Sequence, residues 1–455
     1  MSLREQAVDI VRTLRGRGHQ AYLVGGCVRD LLLQREPADY DVATDATPEE
    51  VMQLFPRTWA VGAQFGVVLV PVKPASQAPD APGKANQTVE VATFRSDGLY
   101  RDGRHPHEVR YTKHPEEDVR RRDFTINGLL LDPQPAGDRV LDFVGGRQDL
   151  LDKVIRTIGD PRMRFGEDKL RLLRAVRFAA RFDYTIEPGT LEAIREAAPQ
   201  IQAVSRERVR EELTKMLTEG RARRAFEWLD LTGLLAHVLP EVEKMKGVAQ
   251  PPQFHPEGDV WVHTLLLLEQ LPPACSRTLA WGALLHDVGK PPVFRIAPDR
   301  IRFDGHVEVG EAMARDICRR LRMSNDDASQ ILALVANHMR FADAPRMKQS
   351  TLKRFLRLPQ FDEHLALHRL DCLASHGNLG IYDYLRRRLA ETPPEQIRPL
   401  PLLTGDDLIA LGLKPGPLFR DLLAAVEDAQ LEGQIASKPE ALEFVRQWTI
   451  KKETQ

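Results

Sequence analysis

The chain has 455 residues, 42 % of them hydrophobic, 28 % charged and 6 % aromatic, and a net charge of -1. At roughly 100 to 200 residues per domain this length exceeds one small module, and the apolar share excludes wholesale disorder. The opening MSLREQAVDI lacks an apolar signal-peptide core, and no stretch approaches the roughly 18 apolar residues of a membrane span. Cys27, Cys275, Cys318 and Cys372 are scattered with no CxxC pair, against a disulfide scaffold or a thiolate zinc site. A soluble, cytoplasmic protein with no membrane partner is expected. Residues 153–225 carry 17 Lys plus Arg against 11 Asp plus Glu, which suits either a polyanionic partner or a solvated helical surface.

In chain order, a helix of about 15 residues is followed by a strand at Ala21–Val24, a break at Gly25 and Gly26, and a helix over 27–33. A second strand carries Asp39 and Asp41 and ends at Thr44. Thr47, Pro48 and Glu50 then spell a helix start: a capping threonine, proline at the first helical position and glutamate three past the cap. Strands over 67–72 and 88–94 flank a segment rich in Pro, Ala and Lys. Residues 95–117 are polar and read as a long functional loop. From about residue 151 strand signals disappear and helices dominate. A proline-containing turn at 247–258 marks a boundary, helices continue to about 385, 392–401 reads as a linker with four prolines, and the last 50 or so residues are helical. The expected domains are 1–150, 151–246, 247–385 and 386–455.

Asp39 and Asp41, two apart on a strand, point to one face while Tyr40 points away. Two fixed carboxylates suit Mg2+, which joins one or two carboxylates to a substrate triphosphate. Alone the pair is a weak signal and reads more readily as an ordinary acidic strand. The upstream Gly25 and Gly26 add weight, because small residues admit close backbone approach and a helix start favours phosphate. Arg29, on the first turn, is placed to reach the same phosphates. No third glycine follows at the spacing a dinucleotide fingerprint requires.

The segment LVGGCVRDLLLQREPADYDVATDATPEEV resembles the active-site motif of class II tRNA nucleotidyltransferases and bacterial poly(A) polymerases. DVRRRDFTINGLLLD is similar to that family's arginine-rich second motif, which implies ribose and triphosphate contacts for Arg121, Arg122, Asp123 and Asn127; relatives often have alanine where this chain has Gly128. DFVGGRQDLLDKVIRTIGDPRMRFGEDKLRLLRAVRFAARF resembles the hinge and template helix, and SRERVREELTKML the next helical motif. Glu90, in TVEVATF, stands like the third acid of a polymerase-beta-like palm, either a metal ligand or base or an ordinary alternating strand residue. The implied chemistry is in-line attack of an RNA 3'-oxygen on an α-phosphate, assisted by two Mg2+ ions.

In FGEDKLRLLRAVRF, Asp168 and Arg171 are three apart and, on a helix, neighbours on one face. A carboxylate accepts from the exocyclic amine of cytosine or adenine and a guanidinium donates to their ring acceptors, whereas uracil and guanine present the reverse. The resemblance implies this base-reading role, with Glu167 orienting the pair and Arg174 nearby; an i, i+3 salt bridge is the plain alternative. Arg164, Arg171, Arg174 and Arg177 make a cationic stripe whose counterion is a nucleotide or tRNA backbone, or carboxylates at Glu167 and within 207–212.

Further on, His286 and Asp287 are adjacent on an apolar helix, preceded by His263 and followed by His306, His338 and Asp371. Burying such a pair is costly without a partner, and a divalent metal provides one. The set resembles the HD phosphohydrolase superfamily, which implies His263, His286, Asp287 and Asp371 as ligands of a divalent metal of unspecified identity, with His306 and His338 as the extra histidines of two-metal members. Satisfied core histidines are the alternative.

The expected fold is α+β, a polymerase-beta-like nucleotidyltransferase head followed by an all-α neck, an HD domain and a tail. The expected activity is template-independent addition of C and A from CTP and ATP to the tRNA 3' end. Alternatives are A-only or CC-only addition, a poly(A) polymerase, or an HD phosphohydrolase acting in RNA repair. WAVGAQFGVVLV lacks a GRRF-like poly(A) polymerase signature, and FRSDGLYRDGRHPHEVRY is not shortened as a CC-only enzyme would require.

Overall fold

The computed structural model describes residues 1–59, 66–72, 88–97, 109–253, 256, 258–298 and 300–453, which fall into two units, Met1–Pro240 and Glu241–Gln455. The first unit opens with α1 (Leu3–Arg15), where Ser2 and Glu5 form a capping box and Ala7, Ile10, Val11 and Leu14 bury one stripe. Then come β1 (Ala21–Val24), α2 (Gly26–Leu32), β2 (Asp41–Thr44), α3 (Pro48–Leu54), β3 (Val67–Pro71), β4 (Thr88–Thr93), β5 (Arg95–Asp97), β6 (Val109–Tyr111), α4 (Pro115–Arg120), β7 (Leu129–Asp132) and β8 (Arg139–Asp142). As expected, Thr47 caps α3 in a box with Glu50, with Pro48 at its start. Six strands form one sheet in the order β3-β4-β2-β1-β7-β8. Only the β2–β4 pair in it is parallel.

The neck follows with α5 (Gly146–Asp152), β9 (Val154–Ile155), α6 (Pro161–Glu167), α7 (Leu170–Phe182), β10 (Thr185–Ile186), α8 (Pro188–Ala197), α9 (Arg206–Thr218) and α10 (Ala222–Leu231). In the second unit the helices Val260–Glu269, Arg277–Leu285, His306–Arg320, Asn325–Asn337 and Phe361–Ala374 carry the HD residues or pack beside them. The final helices Gly405–Ala410, Pro417–Leu431 and Lys438–Glu453 gather a separate apolar cluster including Leu403, Leu408, Leu422 and Val426. Arg354 ties this tail to the helix Gln349–Leu356 through Glu427, 2.6 Å away, and Asp428. No described helix is long and apolar enough to cross a membrane.

Several expectations change. Residues 95–117 are not one loop: β5 and β6 pair antiparallel and α4 begins at Pro115, while 98–108 lie outside the described residues, as do 60–65 and the Pro, Ala and Lys-rich 73–87. Strands do not stop at residue 151. β9 pairs in parallel with β10, and Arg295–Ile296 pairs with Ile301–Arg302; two-residue strands are too short to show alternation. The proline segment 392–401 is no free linker, because Pro394–Ile397 is helical and Ile397 packs with Phe355 and Leu385.

Gly128 is explained by packing: a Cβ there would lie 2.8 Å from Cγ2 of Val144 and 3.0 Å from Cδ1 of Ile158. Gly128→Ala is therefore expected to cost about 1–3 kcal/mol by overpacking. Urea unfolding measures the loss, and Val144→Ala in the same chain should recover part of it.

Candidate active site and metal centre

Strand β1 ends at Val24 because Gly25, at φ +76°, turns the chain into α2. A Cβ on Gly25 would lie 3.4 Å from Nη1 of Arg122 and 4.0 Å from Oδ2 of Asp41, so the glycine lets backbone run against a guanidinium and a carboxylate. Asp41 pairs with Val24 on one side and stands opposite Glu90 on the other. Asp39 is not on the strand as expected. It lies just ahead of β2, since β1 has already turned away at Gly25 and offers no ladder partner there.

These three carboxylates sense one another. Burial, then Glu90 and Asp39, push the Asp41 carboxyl up to about 7 against the pull of Arg122, and burial with Asp39 also raises Glu90. A site that resists full ionisation among like charges is relieved by a cation, and an all-oxygen donor set fits a hard divalent one. Beside it, buried Asp118 holds Arg121 at 2.8 Å and Arg122 at 2.9 Å. Burial favours the protonated acid, yet the two guanidinium groups outweigh it and the Asp118 carboxyl is lowered.

Arg29 is anchored within the fold. Its side chain is buried, donating from Nε to Asp30 (2.8 Å) and from Nη1 to Oδ1 of Asn127 (2.6 Å), with Phe182 and Phe178 against the guanidinium. On α2 it lies against α7 while Nη2 stays at the glycine turn, 3.6 Å from where a Cβ on Gly26 would be. Asn127 donates to Asp123 (3.0 Å), whose other oxygen takes Nε of Arg174 at 2.8 Å. Burial opposes ionisation of Asp123, but Arg174 and Asn127 bring its carboxyl down to about 2.

Asp168 and Arg171 do not sit on one helix face either. The helix breaks between them: Asp168 is extended at the end of α6, and its carboxylate accepts the Leu170 N–H that opens α7. Asp168 is paired with Arg208 at 2.8 Å, and Arg171 with Glu167 at 2.5 Å. Glu167 also holds Arg164, and Arg177 is buried on Glu212 at 2.7 Å. The cationic stripe thus finds internal carboxylates, one of the two readings its sequence allowed.

In the second unit the six HD residues come together. His263, His286 and Asp371 form one group and Asp287, His306 and His338 another, with ligand atoms inside each within 4.8 Å of one another. Asp287 turns Oδ2 to His286 (3.2 Å) and Oδ1 toward His338 (3.7 Å) and His306 (3.9 Å). His263 lies 3.1 Å from Asp371. The Nδ1 atoms of His286, His306 and His338 donate to the carbonyls of Ala283, Phe303 and Val335 at 2.9, 2.9 and 2.6 Å. A carbonyl can only accept, so Nδ1 carries the proton and Nε2 keeps its lone pair turned inward, as a metal ligand must. Burial lowers His338 to about 4, keeping it neutral. Four imidazoles and two carboxylates converging on one spot fit a divalent metal; satisfied core histidines would not aim their lone pairs at each other. A cleft of about 760 Å³, lined by Lys290, Arg300, Arg302, His306, His338 and Asp371 among others, opens beside them.

The chain matches the family models "Poly A polymerase head domain" over residues 21–156, "Probable RNA and SrmB- binding site of polymerase A" over 183–246 and "HD domain" over 259–373. It is 32 % identical over 443 residues to the CCA-adding enzyme of Geobacillus stearothermophilus, covering 96 % of this chain and 95 % of that relative. The chain belongs to the CCA-adding enzyme family. It is also 36 % identical over 353 residues to the A-adding tRNA nucleotidyltransferase of Deinococcus radiodurans, covering 73 % and 79 % of the two chains. Among solved structures, the Bacillus stearothermophilus CCA-adding enzyme in complex with CTP superposes at a TM-score of 0.74 with 26 % identity, covering 100 % of this chain and 99 % of that one. Membership of the family agrees with the sheet-bearing head and the helical remainder.

Some residues around the family motifs were not singled out from sequence. Lys290 lies 2.6 Å from Asp287 and 2.7 Å from Gln250, bringing a buried ammonium to the HD carboxylate; its place three after Asp287 was the available signal. A Cβ on Gly289 would lie 2.1 Å from the carbonyl oxygen of His306 and 2.5 Å from the Gly310 nitrogen, so this glycine lets the His306 helix close on Asp287. Asp118 was also missed although its partners Arg121 and Arg122 lie only three and four residues on, and Arg208 because its partner Asp168 is 40 residues away and leaves no local pattern.

His364 is buried with neither ring nitrogen hydrogen-bonded, and burial lowers it to about 4. A depressed histidine contributes stability above its unfolded value near 6.5 that is lost as pH falls through about 4. Urea unfolding at pH 7 and pH 4.5 should show a pH-dependent loss that is smaller by about 1–3 kcal/mol in His364→Leu.

Proposed function

We propose that this protein adds C and A nucleotides to the 3' end of tRNA, using CTP and ATP and no nucleic-acid template. The single observation that carries the reading is the register that sets Asp41 against Glu90 while the Gly25 turn and Arg122 lie beside the same carboxylate. In this reading Asp39, Asp41 and Glu90 hold Mg2+, which supplies Lewis-acid stabilisation of the transferring phosphoryl group and the leaving pyrophosphate. Gly25 and Gly26 leave room for the triphosphate, and Arg121 and Arg122, pre-oriented on Asp118, neutralise it. Glu90 is placed to take the proton of the RNA 3'-hydroxyl.

Base choice falls to Asp168, Arg171 and Arg174. Asp168 is held by Arg208 and Arg171 by Glu167, so cytosine or adenine exchanges into a ready-made set of acceptor and donors. A base with the reverse edge leaves those charges buried and unpaired, which is the costly outcome. Arg29, with Nη2 beside Gly26, joins Arg121 and Arg122 at the triphosphate. The reaction needs only tRNA and nucleoside triphosphates, consistent with work in the cytoplasm.

The test uses purified protein, Mg2+, and labelled tRNA ending either at the discriminator base or in CC, with CTP, ATP or both. Addition of CCA to the first is expected, with loss of at least about 100-fold in Asp39→Ala or Asp41→Ala. Addition of A to the CC-ended tRNA alone would instead match the similarity to an A-adding relative. Long A tails would instead indicate a poly(A) polymerase, and no incorporation on either tRNA would overturn the transferase reading.

The paired ligand groups of the second unit support a further activity, hydrolysis of a phosphate ester, with His263, His286, Asp287, His306, His338 and Asp371 holding divalent metal beside the cleft. Asp287→Asn should remove bound metal, measured by elemental analysis, and any phosphatase activity, while nucleotide incorporation continues.

A further inference from the structure

The face of the head sheet that carries the carboxylates does not stop at Glu90. Residues paired across neighbouring strands send their side chains to the same face, so the ladder partners of Asp41 can be followed outward one strand at a time. Val24, beside the Gly25 turn, pairs with Asp41, Asp41 with Glu90, Glu90 with Leu69 on β3, and Leu69 with Trp59. The last step is closed by two backbone hydrogen bonds, the Trp59 N–H donating to Leu69 at 3.1 Å and the Leu69 N–H to Trp59 at 3.0 Å. Trp59 thus stands in the row of Asp41 and Glu90, just outside the β3 edge of the six-stranded sheet. Two strand spacings, roughly 10 Å, separate it from Glu90.

Strand β3 is apolar on both faces but fills only one. Val68 and Val70 are buried on the side away from Glu90, whereas Val67, Leu69 and Pro71, on the side of Glu90, are only partly covered. Trp59 ends this shelf with 43 % of its surface open. Two other exposed aromatics of the head are placed elsewhere. Tyr111 lies 3.1 Å from where a Cβ on Gly66 would be, three residues before Leu69 and so on the opposite face, and Phe143 follows β8 at the far edge. An indole left open on the row of the acids offers a π-face on which a nucleic-acid base can stack.

The order along the row says which base. In the proposed reaction the triphosphate lies at the Gly25 turn and Arg122, on the Val24 side of Asp41. Attacking and leaving oxygens are in line across the α-phosphorus, so the RNA 3'-oxygen arrives from the Glu90 side and the nucleoside that carries it extends over Leu69 toward Trp59. The incoming base has its own proposed partners in Asp168, Arg171 and Arg174. We infer that Trp59 stacks on the base of the 3'-terminal nucleotide of the RNA and so holds its 3'-hydroxyl beside Glu90. The inference rests on the proposed addition of nucleotides to RNA. Stacking accepts every base, which suits a growing end whose last residue changes with each addition.

The experiment measures equilibrium binding of labelled tRNA ending in CC, with Mg2+ and without nucleotide, by fluorescence anisotropy, beside the same RNA with an abasic last residue. Removing the base is expected to weaken binding to the wild-type chain about tenfold, within the range of one lost base–aromatic stack. Trp59→Ala should lose the same factor on the intact RNA and nothing further on the abasic one, while calorimetry shows an unchanged affinity for CTP. Trp59→Leu keeps an apolar side chain on the shelf but no ring and should match alanine, whereas Trp59→Phe should retain most of the preference. Thermal unfolding checks that each variant is folded. A wild-type chain that binds both RNAs equally, a Trp59→Leu chain that keeps the preference, or a CTP affinity that falls together with the RNA affinity would each overturn the inference. Absence of incorporation in the tRNA assay by a chain that shows the preference would count against the proposed function instead.

Discussion

Strand β2 is fixed from two sides, antiparallel to β1 with Asp41 against Val24 and parallel to β4 with Asp41 against Glu90. A slip of one residue against either neighbour would send Asp41 to the far face and separate it from Glu90. The apolar residues enforce the register: Val42, Ala43, Val89 and Val91 are buried, so a slip would also expose core. The site therefore borrows its precision from the hydrophobic pattern, and the cost of crowding three carboxylates is met by packing rather than by the acids themselves. The Asp41 carboxyl near 7 records that cost.

The same economy governs the arginines of α7. A stripe of cations looks from sequence like a nucleic-acid track, yet Arg171, Arg174 and Arg177 are tied to Glu167, Asp123 and Glu212. Buried pairs of this kind add little net stability, since desolvation offsets attraction, but breaking one leaves an uncompensated charge. Their effect is to define where each guanidinium can be. A surface that recognises one edge of a base needs that definition more than it needs excess charge.

Sequence patterns revealed what is local and periodic. The Thr47 to Glu50 cap, the Gly25 turn and the adjacency of His286 and Asp287 are short-range signals whose physics is complete within a few residues, and the structure contains them as expected. Reading failed where a partner distant in sequence decides. The local glycines gave no hint that Asn127 and Phe182, about 100 and 150 residues on, anchor Arg29. Asp168 and Arg171 looked like one helical face because periodicity does not register a single residue in extended conformation, which the capping bond to Leu170 creates.

The two centres solve the problem of gathered polar groups in opposite ways, and this bears on what each can hold. In the head, acids converge with cations nearby, so any ligand meets a mixed field. In the second unit, backbone carbonyls accept hydrogen bonds from Nδ1 of His286, His306 and His338 and leave the Nε2 atoms facing inward, so the donor atoms are in place before any ion arrives. Oxygen-only ligands select hard ions that keep part of their water, whereas imidazole-rich ones favour later transition metals. Donor chemistry thus separates the two centres within a single chain.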